Sequence, residues 1–162
     1  PWRNGLGVQY EIACDGSLPD DWTWRLSTAD ITQDVPFSSF SGVTREFCVA
    51  DGNGVVLNIN GVDHRCEPRS VTKFRGDDVV FAALIDGPML ALNLMVRDSA
   101  KSRSLRLCNA GENIVDCSVA VAIGSTSILV ADGDEIGMQI LDALIFDSPT
   151  TIRVFDGVVA TI

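Results

Sequence analysis

Apolar and polar residues alternate with a period of two in ten segments of the chain. Successive side chains of a β-strand point to opposite faces of a sheet, so this alternation predicts strands with one face in a core. The ten predicted strands cover residues 8–13, 22–29, 46–50, 55–59, 79–84, 89–96, 118–123, 127–130, 137–146 and 158–162. No segment repeats its apolar residues every 3.6 positions between capping residues, and we therefore expect little helix.

Turn-forming residues separate the predicted strands. They are Asp51-Gly52-Asn53-Gly54, Asn60-Gly61, Arg75-Gly76-Asp77-Asp78, Asp132-Gly133-Asp134 and Asp156-Gly157. Asn-Gly and Asp-Gly pairs tolerate the positive φ angles of tight hairpins, which predicts many antiparallel hairpins. Short strands with frequent turns are typical of a sandwich or a barrel, so the expected fold class is all-β.

The two halves of the chain share a weak internal pattern. In each half, a glycine-containing hairpin precedes a Gly-Asp turn and an apolar strand. These features lie at 49–56 with 75–78, and at 121–124 with 131–135. The pattern indicates two related barrels, with the polar stretch 97–107 as the crossover between approximate halves 1–100 and 101–162. No linker is long enough for independently moving domains, so we expect residues 1–162 to form one compact unit whose halves can share strands.

The predicted strand 89–96 has two different faces. The aliphatic face, which must belong to a core, consists of Leu90, Leu92, Leu94 and Val96. The other face consists of Ala91, Asn93, Met95 and, just beyond the strand, Arg97. If this second face lines a barrel interior, its amide and guanidinium can hydrogen-bond a small polar ligand. If it points to water, it is a solvated face, and the sequence favours neither alternative.

The predicted strand 22–29 divides in the same way. One face carries Trp22, Trp24 and Leu26, and the other carries Thr23, Arg25, Ser27 and Ala29. Arg25 can give a carboxylate two parallel hydrogen bonds, and Ser27 can add a hydroxyl. The alternative is that Arg25 pairs with one of the 22 acidic residues of the chain, which is the commoner arrangement.

Charge and hydropathy narrow the classes of partner. The formal net charge of −10 opposes binding to nucleic acid, because phosphate backbones need clustered Lys and Arg. No stretch approaches the roughly 20 apolar residues of a membrane helix, and the first residues lack the apolar core of a signal peptide. We therefore expect a cytoplasmic protein with neither a nucleic-acid partner nor a membrane partner.

Histidine and cysteine usage argues against a metal centre. His64 is the single histidine of the chain, and it lies in a polar hairpin where we expect it to be exposed. The five cysteines show no Cys-x-x-Cys spacing, so we expect reduced, buried thiols. A cysteine nucleophile needs a base, and one histidine offers few combinations. We therefore predict no metal, no cofactor and no catalytic residue.

Five segments of residues 1–97 form an ordered series of motifs. They are Pro1-Trp2-Arg3-Asn4-Gly5-Leu6-Gly7 with Glu11-Ile12, then Trp24-Arg25-Leu26-Ser27, then Pro36-Phe37-Ser38-Ser39-Phe40-Ser41-Gly42 with Arg45, then Phe74-Arg75-Gly76-Asp77, then Asn93, Met95 and Arg97 on one strand. In this order they resemble the HutD/Ves family, small cupin-like proteins associated in bacteria with histidine utilisation. The remainder of the chain resembles the family only in length and strand character.

The resemblance implies two cupin-like β-barrels in one chain, a bicupin, without the histidine-rich metal site of enzymatic cupins. It also implies a pocket for a small carboxylate-bearing molecule such as formate, formylglutamate or urocanate. The family positions that imply this pocket are Asn4, Arg25, Ser27, Phe40, Arg45, Asn93 and Met95. Three residues depart from the family pattern: Leu6 stands for a glycine, Ala91 for an acid and Asp98 for an arginine. The loss of an acid and of a cation would alter the charge of the pocket, so the ligand can differ from that of the family.

Three hypotheses of function follow. The first is a non-enzymatic protein that binds or senses a carboxylate metabolite, linked to histidine or amino-acid catabolism. The second is a metal-independent cupin-type isomerase or hydrolase, which needs a pocket acid or thiol with a shifted pKa beside a second catalytic group. The third is association into a homodimer, for which the strand 158–162 offers a sheet edge. We favour binding, because a barrel interior without the usual histidine ligands still offers Arg25 and Asn93.

Overall fold

The computed structural model describes residues 8–16, 21–130 and 133–162. These residues form fifteen β-strands and no helix, which confirms the predicted all-β fold class. The strands are β1 (Val8–Cys14), β2 (Trp24–Ile31), β3 (Val35–Pro36), β4 (Val43–Asp51), β5 (Val55–Ile59), β6 (Val62–Cys66), β7 (Val71–Arg75), β8 (Val80–Leu84), β9 (Met89–Arg97), β10 (Arg106–Asn109), β11 (Asn113–Ala122), β12 (Thr126–Val130), β13 (Glu135–Met138), β14 (Ala143–Asp156) and β15 (Val158–Thr161). Within these ranges there is no helix with the length and hydropathy needed to cross a membrane.

The strands form three antiparallel sheets, which belong to two compact units. Sheet 1 has the strand order β1-β2-β9-β4-β7, sheet 2 has β3-β8-β5-β6, and sheet 3 has β10-β15-β11-β14-β12-β13. The first unit, Pro1–Arg103, contains sheets 1 and 2, and the second unit, Ser104–Ile162, contains sheet 3. The boundary between the units lies inside the polar stretch 97–107.

Sheets 1 and 2 enclose the apolar core of the first unit. Sheet 1 contributes Ala29, Ile31, Phe47, Val49, Phe74, Met89 and Ala91. Sheet 2 contributes Val35, Val55, Leu57, Cys66, Val80 and Ala82. Removing such side chains from water stabilises a fold by about 25 cal/mol per Å² of apolar surface. The burial of these residues is therefore the main contribution that holds the two sheets together.

Three pairs of consecutive strands form hairpins in the described ranges: β1–β2, β5–β6 and β12–β13. The β5–β6 turn is Asn60-Gly61, and both residues have positive φ angles, 51° and 88°, as the sequence predicts. Other predicted turns carry the chain between sheets instead. Residues 51–54 join β4 to β5, and residues 75–78 join β7 to β8. Hairpins are fewer than predicted because the chain changes sheets at these turns.

Sheet 3 encloses a second apolar core. Strand β14 is 14 residues long, and its pairing with β11 and β12 is interrupted by register shifts. Irregularities of this kind bend a strand and increase its twist. The bend lets the sheet curl, so that Cys108 of the edge strand β10 and Met138 of the edge strand β13 belong to the same buried cluster.

Two features differ from the expectations drawn from the sequence. Each of the three sheets is open and ends in two edge strands, so none closes into a barrel in the part of the chain that is described. The prediction that the strand 158–162 offers a sheet edge is wrong, because β15 lies between β10 and β11 and pairs with both. The backbone groups on both of its sides are already used within sheet 3.

Candidate functional site

The register of sheet 1 brings five of the predicted site residues onto one face. Arg25 of β2, Met95 of β9 and Arg45 of β4 are cross-strand partners, so their side chains point the same way. Ser27 lies two residues after Arg25 on β2, and its partner Asn93 lies two residues before Met95 on β9. These two residues form the next row of this face. All five side chains are buried.

The same face becomes apolar farther along the strands. Ala29, Ala91 and Val49 are partners across β2, β9 and β4, and they belong to the core between sheets 1 and 2. The face of β9 that carries Asn93 and Met95 is therefore the interior one, which decides between the two alternatives left open by the sequence. The polar rows begin where the apolar core of the first unit ends.

Arg45 is a buried cation with uncharged hydrogen-bond partners. Its Nε and Nη2 atoms donate to Oδ1 of Asn93 at 3.4 and 3.5 Å, and its Nη1 atom donates to the carbonyl oxygen of Ser38 at 3.2 Å. Among the residues that the structure describes, no acidic side chain forms an ion pair with Arg45. Burial and the nearby charge of Arg25 lower the pKa of Arg45 to about 10, so it remains charged at neutral pH.

Aromatic rings surround the guanidinium of Arg45. Its central carbon lies 5.0 Å from the ring centroids of both Phe37 and Phe74, and 5.8 Å from that of Phe40. The negative face of an aromatic ring attracts a cation, and this attraction is strongest where water is excluded. The rings therefore stabilise a charge that has lost most of its hydration.

Arg25 lies on the other side of Met95. Its Nη2 atom is 3.6 Å from the sulfur of Met95, and its guanidinium carbon is 5.3 Å from the ring centroid of Trp22 and 5.8 Å from that of Phe40. Phe40 therefore contacts both guanidinium groups. The two guanidinium groups belong to one cluster of polar and aromatic side chains on the interior face of sheet 1, and we call this cluster the pocket.

A close backbone contact holds the loop that carries Phe40. The backbone nitrogen of Phe40 donates to the carbonyl oxygen of Gly76 at 2.7 Å, and the nitrogen of Gly76 donates to the carbonyl oxygen of Val43 at 2.7 Å. A Cβ atom on Gly76 would lie 2.2 Å from the carbonyl oxygen of Phe40, well inside contact distance. Only glycine lets the loop between β3 and β4 approach the β7–β8 turn this closely.

The structure brings together six of the seven predicted site residues: Arg25, Ser27, Phe40, Arg45, Asn93 and Met95. The seventh, Asn4, lies outside the described residues. The prediction that Trp22 shares a face with Trp24 and Leu26 is wrong. Trp22 precedes β2, so strand alternation does not govern it, and it packs against Val43 and Met95 on the pocket side.

Three aromatic residues of the pocket were not predicted as site residues: Trp22, Phe37 and Phe74. For Arg97, the sequence predicts only a place on the face of β9 that carries Asn93 and Met95. Arg97 continues that face, donates from Nε to the carbonyl oxygen of Trp22 at 2.8 Å, and stacks on the same indole. For Phe74, the available signal was its place in the Phe-Arg-Gly-Asp motif that resembles the family.

Two of the three departures from the family pattern lie in the described residues. Ala91 is buried in the apolar core beside Ala29 and Val49. Asp98 forms an ion pair with Arg75 at the surface and accepts a hydrogen bond from Thr44, and these contacts lower its pKa. The third departure, Leu6, lies outside the described ranges.

One thiol lies beside the arginines: Cys14 is the cross-strand partner of Arg25 and packs against Trp22, Val43 and Met95. The other potential metal ligands and nucleophiles have different surroundings. His64 is exposed on β6, as predicted. Burial raises the pKa of Cys48 to about 12 and that of Cys117 to about 11, so both thiols are protonated at neutral pH and are poor nucleophiles. In the described ranges, no cluster of three or more His, Cys, Asp or Glu side chains is placed to hold a metal ion.

Sequence comparison finds similar proteins in several bacteria. The HutD family profile matches residues 1–158. Protein Ves from Citrobacter koseri is 38% identical over 105 residues, which are 63% of this chain and 55% of that protein. The uncharacterized 21.2 kDa protein in the hutC 3′ region of Pseudomonas putida is 37% identical over 97 residues, which are 59% of this chain and 51% of that protein. The chain spans about half the length of these curated relatives.

Solved structures extend the likeness to the fold. HutD from Pseudomonas fluorescens SBW25 has a TM-score of 0.85 and 27% identity, and the match covers 99% of this chain and 90% of that one. A Cupin 2 conserved barrel domain protein from Leptotrichia buccalis has a TM-score of 0.60 at 10% identity over 97% of this chain and 87% of that one, which shows a cupin-like fold alone. Because the family profile extends over nearly the whole sequence, the chain belongs to the HutD family.

Proposed function

We propose that this protein binds a small carboxylate-bearing metabolite in the pocket between Arg25, Arg45 and Asn93, and that it acts by binding rather than by catalysis. One observation carries the proposal: the buried, charged guanidinium of Arg45 is hydrogen-bonded to the Asn93 amide and the Ser38 carbonyl, which are both uncharged. A buried charge without a counter-charge costs a protein free energy. A bound carboxylate would supply the opposite charge.

The donors left around the pocket suit a carboxylate. A guanidinium has five N–H groups, and the hydrogen bonds of Arg45 to Asn93 and Ser38 use three of them. Because Oδ1 of Asn93 is turned to Arg45, its Nδ2 group remains to donate to a ligand. Arg25 adds a second cation two strands away, at a Cα separation of roughly 9.5 Å for ordinary strand spacing. This span suits a small molecule.

The relatives support a ligand from amino-acid catabolism. One of them is described by its place in a hutC 3′ region, and the structure of HutD from Pseudomonas fluorescens is described as a formate condition. Formate is the smallest carboxylate. The candidate ligands are therefore formate, formylglutamate and urocanate, and the candidate role is a sensor or carrier in histidine utilisation.

The proposal extends to the architecture. Each compact unit would be one cupin-like barrel that has opened, with the first unit keeping a usable interior. The curled sheet 3 and the facing sheets 1 and 2 support this bicupin arrangement, as does the cupin-like neighbour.

Calorimetric titration with formate, formylglutamate and urocanate tests the proposed ligand class. We expect at least one of them to bind the wild-type protein and to lose at least tenfold in affinity in the Arg25→Ala variant. A hydrogen bond to a charged group contributes about 1.5–3 kcal/mol, which corresponds to a loss of that size.

Arg103→Ala is the matched control for this titration. Its guanidinium carbon also stacks on a tryptophan, 4.6 Å from the Trp24 ring centroid, but Trp24 lies on the opposite face of β2 from Arg25. The control should bind like the wild type. Absence of binding by all three compounds, or equal affinity in wild type and Arg25→Ala, would contradict the proposed function.

A further inference from the structure

We infer that Phe74 and Phe37 are positioning residues of the carboxylate site, which hold the Arg45 guanidinium in place through their ring faces. The inference rests on the proposed function, because it assigns to these two rings the task of presenting Arg45 to a ligand. Neither ring is one of the residues that the family resemblance implies for the pocket.

The geometry separates two kinds of contact around Arg45. Its N–H groups reach Asn93 and the Ser38 carbonyl, while its central carbon lies 5.0 Å from each of the two ring centroids. The centroids of Phe37 and Phe74 are 6.4 Å apart with a tilt of 33° between the rings. At these distances the rings lie side by side along one flank of the guanidinium rather than on opposite sides of it. The third ring near the guanidinium, that of Phe40, is farther away, with its centroid 5.8 Å from the central carbon.

The fold fixes both rings independently of any ligand. Phe74 is the cross-strand partner of Arg45 on β7, so strand register places it beside the guanidinium. Phe37 follows β3, and its backbone nitrogen donates to the carbonyl oxygen of Val80 at 2.9 Å. Phe37 also packs against Phe47, with ring centroids 5.6 Å apart. The rings are thus anchored in the core between sheets 1 and 2 while their faces meet the charge.

The two phenylalanine rings are needed because the two arginines repel each other. Arg25 carries a like charge in the same pocket, and that charge is one cause of the lowered pKa of Arg45. Without an attractive surface, the guanidinium of Arg45 would gain by moving away from Arg25 and toward water. The quadrupoles of two rings oppose that movement. A carboxylate then meets a guanidinium that is already in position, and the cost of ordering it does not weaken binding.

Fluorinated phenylalanine at position 74 tests the inference. Site-specific mono-, di- and trifluorinated rings keep the size and the apolar character of phenylalanine, while the negative potential of the ring face falls with each fluorine. We expect the affinity for sodium formate to fall stepwise, by roughly three- to tenfold at the trifluorinated ring, as the cation–π attraction is lost. A purely structural ring would show no such series.

A second readout does not need a ligand. Nitrogen NMR of the Arg45 side chain, assigned with an Arg45→Lys variant, reports rotation about its Cζ–Nε bond and exchange of its Nε proton. Both should accelerate along the same series in the ligand-free protein. If wild type fails to bind formate, formylglutamate and urocanate, the proposed function fails, and this measurement still decides whether the rings hold Arg45.

Phe146 is the matched control position. It is a partly buried phenylalanine on β14 that packs against the core of sheet 3, whereas Phe37 and Phe74 belong to the core between sheets 1 and 2. Fluorination at Phe146 should leave both formate affinity and Arg45 dynamics unchanged. The inference is overturned if wild type binds formate but the Phe74 series changes neither readout, or if fluorination at Phe146 has the same effect as at Phe74.

Discussion

Arg45 is a single residue whose burial lowers the stability of the folded protein. Its pKa is lowered to about 10, chiefly by burial and then by the charge of Arg25. At about 1.4 kcal/mol per pKa unit, the buried cation costs the folded protein on the order of 3 kcal/mol. Because the folded-state pKa lies below that of the unfolded chain, the cost is present in full at neutral pH and fades only as pH rises through about 10.

Replacing the charge and its acceptor together should remove this cost. In an Arg45→Met, Asn93→Leu double variant, we expect the free energy of unfolding to be unchanged or to rise by about 1–4 kcal/mol, as found when buried charges give way to apolar groups. Urea denaturation without ligand measures it. The single Arg45→Met variant should be less stable than the double variant, because it leaves the Asn93 amide buried without its donors. The reverse order of these two stabilities would contradict the cost assigned to Arg45.

For single residues, the sequence predicts which side chains share a face of a strand, but not which face points into the core between sheets 1 and 2. Alternation puts Asn93 and Met95 on one side of β9 and Leu92 and Leu94 on the other, and the structure buries both sides. Hydrophobicity therefore could not decide between them. The role of Phe74 depends on its pairing with Arg45 across two strands that are 29 positions apart, and no local pattern reports such a register.

Among the elements, the segment from Phe37 to Val43 decides the shape of the pocket. It carries two of the rings that face Arg45, and it is held to the β7–β8 turn by two hydrogen bonds to Gly76. The glycine is required here by space rather than by a positive φ angle, because the Cβ of any other residue would meet backbone oxygen atoms. The turn and the loop must therefore move together.

Substitution of Gly76 by alanine should displace this loop. We expect Gly76→Ala to lower the free energy of unfolding by about 1–3 kcal/mol, as overpacking usually does, and to weaken formate binding as well. Gly137→Ala is the control, because Gly137 also lies outside the positive-φ region and its Cβ would meet no atom within 4 Å. Thermal and urea unfolding of both variants measure the effect. Equal stability of the two would rule out the close contact.

Edge strands and the bent interior strand β14 are the elements that the sequence predicts least well, and the predicted strand 137–146 covers only residues 143–146 of β14. Strands β6 and β7, which read Val-Asp-His-Arg-Cys and Val-Thr-Lys-Phe-Arg, were not among the predicted strands. Each is the last strand of its sheet and buries only one residue fully, so its apolar pattern is weak. Strand β15 shows the opposite difference, because the sequence predicts a sheet edge at residues 158–162 and the structure places β15 inside sheet 3.

Across the whole molecule, the distribution of thiols follows the two buried cores. All five cysteines are free, and Cys48, Cys66, Cys108 and Cys117 are buried. Cys14 is half-buried on β1, and its pKa is raised, mainly by desolvation. The predicted burial of the thiols is confirmed for Cys48, Cys66, Cys108 and Cys117. Reactivity should therefore reside in one cysteine of the native protein.

Thiol titration with an aromatic disulfide reagent measures this expectation. In the native protein we expect one thiol to react, slowly at neutral pH and faster as rising pH ionises Cys14. In denaturant all five should react. A Cys14→Ser variant should lose the native reaction and keep four reactive thiols when unfolded. Fast reaction of two or more native thiols would show that the cores open more readily than the packing implies.

The cross-strand row of Arg25, Met95 and Arg45 also limits how this protein can change during evolution. A one-residue insertion or deletion within β9 would exchange Asn93 and Met95 for their leucine neighbours on the pocket face, and two guanidinium groups would then meet aliphatic side chains. Length changes in the turns at 51–54 or 60–61 leave that row intact. Variation in chain length among proteins that keep this pocket should therefore accumulate in the turns, while β2, β4 and β9 change by substitution alone.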